Sequence, residues 1–226
     1  MSETILRKEK AARIFIVNDY PIVRFGLTQL LNKEDDLTVC GEVDSATETI
    51  EVIEKSKPDL AIVALFLRGI DDMELIKSLK QRFSKLHILV FSVHDETIFA
   101  ERVIRAGAKG YIMKRAPATE ILKAVRRVLN GEIYVSDGMV SKILNQLANG
   151  GTSNSSSSLE HLSDRELQIF KLIGKGHDLR KIAKALYLSV KTVETHCAHI
   201  KEKLSLKSAN ELMHFAIKWI DSGGEF

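Results

Sequence analysis

Up to Asn130 the chain alternates between two rhythms of apolar residues. Short runs rich in Ile, Val and Phe ("RIFIVND", "LTVCGEV", "LAIVALFL", "HILVFSV" and "GYIMK") read as strands. Longer stretches follow them, "PIVRFGLTQLLNK", "ATETIEVIEKS", "DMELIKSLKQRF", "ETIFAERVIRAG" and "ATEILKAVRRVLN", with the spacing of amphipathic helices. In the last, Ile121, Leu122, Val125, Val128 and Leu129 fall on one helical face. Five strand–helix pairs in succession predict an α/β domain over residues 13–131, a doubly wound parallel sheet with helices on both faces.

Past Gly131 the alternation stops. Residues 132–158 are expected to form a linker, with a helix at 138–148. The stretch "NGGTSNSSSS" then follows, Asn149 to Ser158, and is expected to be flexible. It has no large apolar residue with which to offset the entropy of ordering its backbone. Residues 159–222 read as helix throughout. Ser163 and Glu166 form a capping box at the start of a first helix, which Gly174 and Gly176 help to end. "DLRKIAKAL" is a short second helix, the segment after Ser189 a longer third, and "ANELMHFAIKWI" a fourth. Residues 1–12 and 223–226 are read as tails.

Composition narrows the class without identifying it. A chain of 226 residues has room for one or two cored domains. Apolar content of 45% and charged content of 28% are those of an ordinary globular protein. Two cysteines, Cys40 and Cys197, are too few for a disulfide framework or a four-thiolate zinc site. The N-terminal stretch has no long apolar core ending at a small-residue cleavage site. No apolar run reaches the roughly 18 residues of a membrane span. The expectation is a cytoplasmic protein without membrane contact.

In a doubly wound sheet, ligands bind outside the carboxyl ends of the strands. Those ends carry Asn18 and Asp19, then Ala64, Ser92 and Lys114. Taken in this order, residues 13 to 130 resemble the receiver domain of bacterial response regulators, which implies the flavodoxin-like fold. "IFIVNDYPIVRFGL" is similar to that family's first-strand signature, which normally ends in two acidic residues. "PDLAIVALFL" is similar to the strand carrying the phosphorylated aspartate, with Ala64 at the acceptor position. "FSVHDE" puts Ser92 at the hydroxyl switch position. "GYIMKRA" puts Tyr111 at the switching aromatic and Lys114 at the phosphate-binding lysine.

The departures from that pattern matter as much as the matches. The acidic pair is reduced to Asn18-Asp19. The acceptor is a methyl group, which cannot attack phosphorus. The loop that follows reads "LRG", and Asp72 stands where a glycine is common. The resemblance therefore implies a receiver that takes no phosphoryl group at residue 64, either a natural pseudo-receiver or one engineered at Ala64. It implies at most weak magnesium binding at Asp19.

Residues 162–204, with the helix around Trp219, resemble the LuxR-type helix-turn-helix of the NarL/FixJ class. The matching stretches are "LSDRELQIFKLIGKG" and "LRKIAKALYLSVKTVETHCAHIKEKL". Helical spacing puts Val193, Ile200 and Leu204 toward the core with His196 beside them. Lys191, Glu194, Thr195, Ala198, Lys201 and Glu202 are left outward. From Lys175 to Lys207 there are eight Lys and Arg against three acids, a local excess of five. In this motif the second helix of the turn enters the major groove. The resemblance places Glu194, Thr195 and Ala198 at base edges. Lys191, Thr192, Lys201 and Lys203 are the expected phosphate contacts.

The expected function is that of a DNA-binding transcription regulator of the two-component type, with no enzymatic activity and no cofactor. Its expected partners are double-stranded DNA and a second copy of itself, with a sensor kinase or another regulatory protein upstream. Leu212, Phe215 and Trp219 on the last helix are the expected dimer contacts, with Trp219 as the anchor. The alternative is a receiver that senses a small ligand or sequesters a protein and so controls the DNA-binding domain. His196, Cys197 and His199 do not make a complete tetrahedral set by spacing, so no metal is expected there.

Overall fold

The computed structural model describes residues 11–65, 67, 72–148, 159 and 162–221. The N-terminal tail as far as residue 10, most of the loop after Ala64, the Ser-rich stretch and the C-terminal tail lie outside the described residues. The chain divides into two compact units, residues 1–144 and 145–226.

The first unit is built on five parallel strands: β1 (Ala12–Val17), β2 (Leu37–Val43), β3 (Leu60–Val63), β4 (His87–Ser92) and β5 (Gly110–Met113). Their order in the sheet is β2-β1-β3-β4-β5, the flavodoxin-like arrangement. Every residue of the central β3 is buried. A strand covered on both faces cannot alternate apolar with polar, which explains the unbroken apolar runs in the sequence. One face of the sheet, with Ile14, Ile16, Leu60, Ile62, Leu89, Phe91 and Ile112, packs against α1 (Pro21–Asn32) and α5 (Ala118–Leu129) through Leu27, Leu31, Ile121, Val125 and Val128. The alternate strand residues, among them Phe15, Val17, Ala61, Val63, Ile88 and Val90, are buried on the other side. There α2 (Ala46–Ser56), α3 (Asp72–Arg82) and α4 (Glu96–Ala106) supply Ile53, Ile76, Leu79, Phe99 and Val103.

Two details differ from the sequence reading. The run "LAIVALFL" is strand only as far as Val63, because the paired residues of β1 and β4 end there at Val17 and Val90. Leu65 and Leu67 are apolar because they are buried, although they lie beyond the end of β3. Residues at 133–135, expected in the linker, return to the sheet. Tyr134 bridges Gly110 in parallel at the open edge of β5, and α6 (Asp137–Ala148) follows.

The second unit comprises α7 (Asp164–Gly174), α8 (Leu179–Ala185), α9 (Val190–Lys203) and α10 (Ala209–Asp221). The capping box is present in full: the Glu166 backbone N–H reaches Ser163 Oγ, and the Ser163 N–H reaches the Glu166 carboxylate at 2.7 Å. Asp178 and Ser189 cap α8 and α9 without the reciprocal bond, their side chains accepting the Lys181 and Thr192 N–H groups. Gly176, at φ 77°, ends the turn after α7, as the sequence suggested. Gly174 has another role. A Cβ there would stand 2.5 Å from the Ala216 carbonyl oxygen, so the missing side chain is what lets α10 lie close against α7.

That close approach corrects the reading of Trp219. The end of α10 is not left over beyond a small core; it lies inside it. Trp219 is 3% exposed and meets Phe170 of α7 edge-on at 5.7 Å. Leu212 and Ala216 are buried with it, and Phe215 is half-buried against Phe170. The outward apolar residue of this helix is Met213, at 42% exposure. Trp219 is also the sole tryptophan of the chain, so its fluorescence reports on this unit alone. Gly174→Ala should destabilise the unit by about 1–3 kcal/mol through overpacking. Urea unfolding followed by Trp219 emission measures it, and an unchanged midpoint would refute the close-approach role.

Candidate functional site

At the carboxyl ends of the strands the fold gathers the receiver-like residues. Asn18 follows β1 and is buried, and its side-chain oxygen accepts the Tyr20 N–H at 3.0 Å. Ala64 follows β3 with its methyl group buried, and its N–H donates to the Val17 carbonyl at 2.9 Å. Lys114 follows β5. Its N–H donates to the Ser92 carbonyl, which ties the ends of β4 and β5 together. Its ammonium lies over the Tyr20 ring at 5.2 Å and near the Phe91 ring at 5.9 Å. Burial pulls the lysine's pKa down, and the nearby Asp19 carboxylate offsets this only in part. The sequence reading missed Arg24. From the first turn of α1 it donates to the Asn18 carbonyl at 2.7 Å and pairs with Glu42 at 3.2 Å. A charged residue just inside a helix that begins at a strand end was the available signal.

Ser92 and Tyr111 meet beneath the loop that leads into α4. Ser92 Oγ accepts the His94 N–H at 3.0 Å, and the Tyr111 hydroxyl donates to the His94 carbonyl at 2.8 Å. Tyr111 is wholly buried, and this burial pushes its phenol pKa up. Its backbone N–H donates to the Tyr134 carbonyl at 2.8 Å. Glu96 accepts the Ser136 N–H at 2.8 Å, and Tyr134 Oη donates to Glu120 at 2.7 Å. Tyr111 is thus joined, one hydrogen bond away, to the segment that leads out of the domain.

A receiver site of this kind normally holds a magnesium ion, which needs several oxygen ligands. The residues present do not fit it. Among the described residues the pocket offers one carboxylate, Asp19. The amide oxygen of Asn18 is engaged in its own turn, Ala64 offers none, and Arg24 brings a positive charge.

The second array is on α9. Val193 and Ile200 are fully buried and orient the helix. Lys191, Glu194, Thr195, Ala198 and Glu202 are exposed, while Thr192 and Lys201 are half-exposed. Thr192 takes part in capping, with its Oγ1 2.7 Å from Ser189 Oγ. Thr195 Oγ1 donates back to the Lys191 carbonyl at 3.0 Å, which leaves its methyl group outward. Leu204, expected in the core, is half-buried at the helix end. Lys203 also departs from expectation. Its ammonium lies 2.7 Å from Oε2 of Glu166, whose side chain is 4% exposed. A lysine held by a buried carboxylate is not a free phosphate contact.

Glu166 therefore joins α7 to α9. Burial alone would raise its pKa, but the Lys203 ammonium and the Ser163 N–H outweigh that and hold it below the usual carboxylate value. His199 Nδ1 lies 3.8 Å from its other oxygen, Oε1. His196 Nδ1 is buried without a hydrogen-bond partner, and burial holds this imidazole below its ordinary pKa.

Residues 14–126 match the family described as the response regulator receiver domain. Residues 160–216 match the bacterial regulatory proteins of the luxR family. The chain is 37% identical over 213 residues to the oxygen regulatory protein NreC of Staphylococcus carnosus, covering 91% of this chain and 97% of the relative. It is 36% identical to the NreC of Staphylococcus aureus strain MRSA252, with the same coverage. Among solved structures it is similar to RcsB of Salmonella enterica serovar Typhimurium bound to promoter rprA in the presence of the phosphomimetic BeF3-. There the identity is 25%, the TM-score 0.64, and the coverage 91% of this chain and 98% of that one. A LuxR-family response regulator from Aurantimonas is 29% identical, with TM-score 0.57, over 61% of this chain and 99% of that one.

The bridge from Lys203 to Glu166 yields a test. Lys203→Ala leaves a buried carboxylate short of its counter-charge and should destabilise the second unit by about 1–3 kcal/mol. Lys191→Ala, on the exposed face, should stay within about 0.5 kcal/mol. A carboxylate with a depressed pKa stabilises the fold above its unfolded value, near 4.5, and loses that contribution as pH falls through the folded one. The gap between parent and Lys203→Ala should therefore narrow below about pH 4.5. Equal urea midpoints at pH 7 would refute the role given to this bridge.

Proposed function

The chain belongs to the response regulators that join a receiver domain to a luxR-family regulatory domain, and from that premise we propose how its two units divide the work. It is a DNA-binding two-component response regulator of the LuxR family. The helix α9 enters the major groove of duplex DNA. The observation that carries this reading is its two-sided build: Val193 and Ile200 are locked into the core, and Lys191, Glu194, Thr195 and Ala198 stand together outside. Thr195 and Ala198 present methyl groups suited to thymine, and Glu194 accepts from a cytosine amino group. Lys191 and Lys201 contact phosphates, with Thr192 beside them. Lys203 is withdrawn from that set because Glu166 holds it.

The protein works as a homodimer on paired half-sites, since one helix-turn-helix reads only a few base pairs. With Trp219 inside the core, a contact through α10 falls to its outer side, around Met213. The receiver passes its state to the second unit without a phosphoryl group at residue 64, where a methyl group replaces the nucleophile. No helix among the described residues is long and apolar enough to cross a membrane.

Two measurements test these assignments. Selection of bound sequences from random duplexes by the purified protein should yield a two-half-site consensus. On the selected site Lys191→Ala should weaken binding of all sequences about equally, and Thr195→Ala should blunt discrimination among them by about 1–3 kcal/mol. Parent-like binding by both variants would remove α9 from the groove. Separately, incubation with acetyl phosphate and magnesium should leave the intact mass unchanged. A stoichiometric phosphate adduct mapping to the loop around Ala64 would overturn the reading of the receiver.

A further inference from the structure

On the flank of α9 that faces α7, three side chains from two helices converge. His196 and His199 are three residues apart, which puts them side by side on one helical face. Glu166 comes from the first turn of α7. One ligand atom from each lies within 4.8 Å of the other two. The spacing of His196 and His199 gave no third ligand in the sequence; the fold brings one from thirty residues upstream of His196.

The bonding of each group favours a shared ligand. Both close contacts of the Glu166 carboxylate are made by Oε2, with the Ser163 N–H and the Lys203 ammonium, each at 2.7 Å. They fix the plane of the carboxylate and leave Oε1 facing His199 Nδ1 at 3.8 Å. Outer bonds that orient a carboxylate in this way are the usual support of a metal ligand. The Nδ1 of His196 is buried without a hydrogen-bond partner, so this imidazole is left unsatisfied by the fold. His199 is exposed, so the site opens to solvent on one side.

We infer that the second unit carries a three-ligand site for a divalent transition metal of the zinc class, formed by Glu166, His196 and His199 and clamping α9 to α7. Two imidazoles and one carboxylate are a ligand set that zinc takes at about 2.0–2.2 Å, with a fourth position open to water. Ligand atoms around one such ion stand roughly 3.4 Å apart. The three groups must therefore close by up to about 1.4 Å from the 4.8 Å spread, which takes rotation of exposed His199 together with a small shift of His196. The set lacks the cage of hard oxygens that magnesium or calcium requires. Lys203 beside Oε2 weakens attraction for a cation, which makes the site exchangeable rather than a permanent part of the fold. The residues on the outer side of α9, Glu194, Thr195 and Ala198, are not used by it.

The test uses the full chain, freed of any affinity tag and treated with chelator. Cobalt(II) titration should give a visible d–d band that saturates at one equivalent and is displaced by zinc. His199→Ala, a change at an exposed position, should keep the fold by circular dichroism and lose at least about tenfold in cobalt affinity. Cys197→Ser should bind as the parent does, because its sulfur is not a ligand. Zinc should raise the urea midpoint read by Trp219 emission in the parent and not in His199→Ala. Absence of the band under excess cobalt, parent-like affinity in His199→Ala, or loss of the band in Cys197→Ser would each overturn the site.

Discussion

Burial of the central strands on both faces governs what the first unit can do. β3 and most of β4 have no solvent-facing side, so polar chemistry is confined to the points where strands end. At those points a residue is either paired or apolar. Ala64 takes the second course, and its methyl group sits in the core at no cost. A carboxylate in the same place would have to be balanced by cations. The surroundings match: Asn18 is neutral and bonded within its own turn, and Lys114 lies over the Tyr20 ring with Asp19 as the nearby carboxylate. The fold of the sheet is indifferent to whether the pocket works as a phosphoryl site.

The second unit solves a related problem at smaller size. Its core is the contact of α7 with α10, made by Phe170, Ala216 and Trp219 and permitted by the bare backbone of Gly174. With that core taken up, α9 is positioned by two buried side chains and by one buried carboxylate. Glu166 caps α7, neutralises Lys203 and faces His199. One residue thereby links the start of the domain to the helix whose outer face is free.

Much of this was readable in the sequence. Five strand–helix pairs, the capping box and the buried and exposed sides of α9 follow from periodicity and local chemistry, which are properties of neighbouring residues. The errors arose where distant residues decide. Trp219 looked like an interface anchor because nothing near it in sequence says that Gly174 draws α10 inward. Lys203 looked like a phosphate contact because Glu166 lies far away along the chain. Leu65 and Leu67 looked like strand because burial and pairing both favour apolar residues. In the pocket, the identity of each strand-end residue was plain, but the turn that engages Asn18 and the reach of the Arg24 guanidinium are set by how the folded backbone brings them together.

The return of Tyr134 to the sheet has a consequence for how the domain can be divided. β5 is an outer strand, and its N–H and C=O groups would otherwise be open to any passing chain. The reciprocal bonds of Tyr134 with Lys109 and Tyr111 occupy that border. A receiver cut after Gly131 would lose this cover and bare a flat template for strand addition, inviting edge-to-edge self-association unrelated to any native dimer. The smallest well-behaved fragment of the first unit thus extends through Ser136, whose N–H is itself held by Glu96.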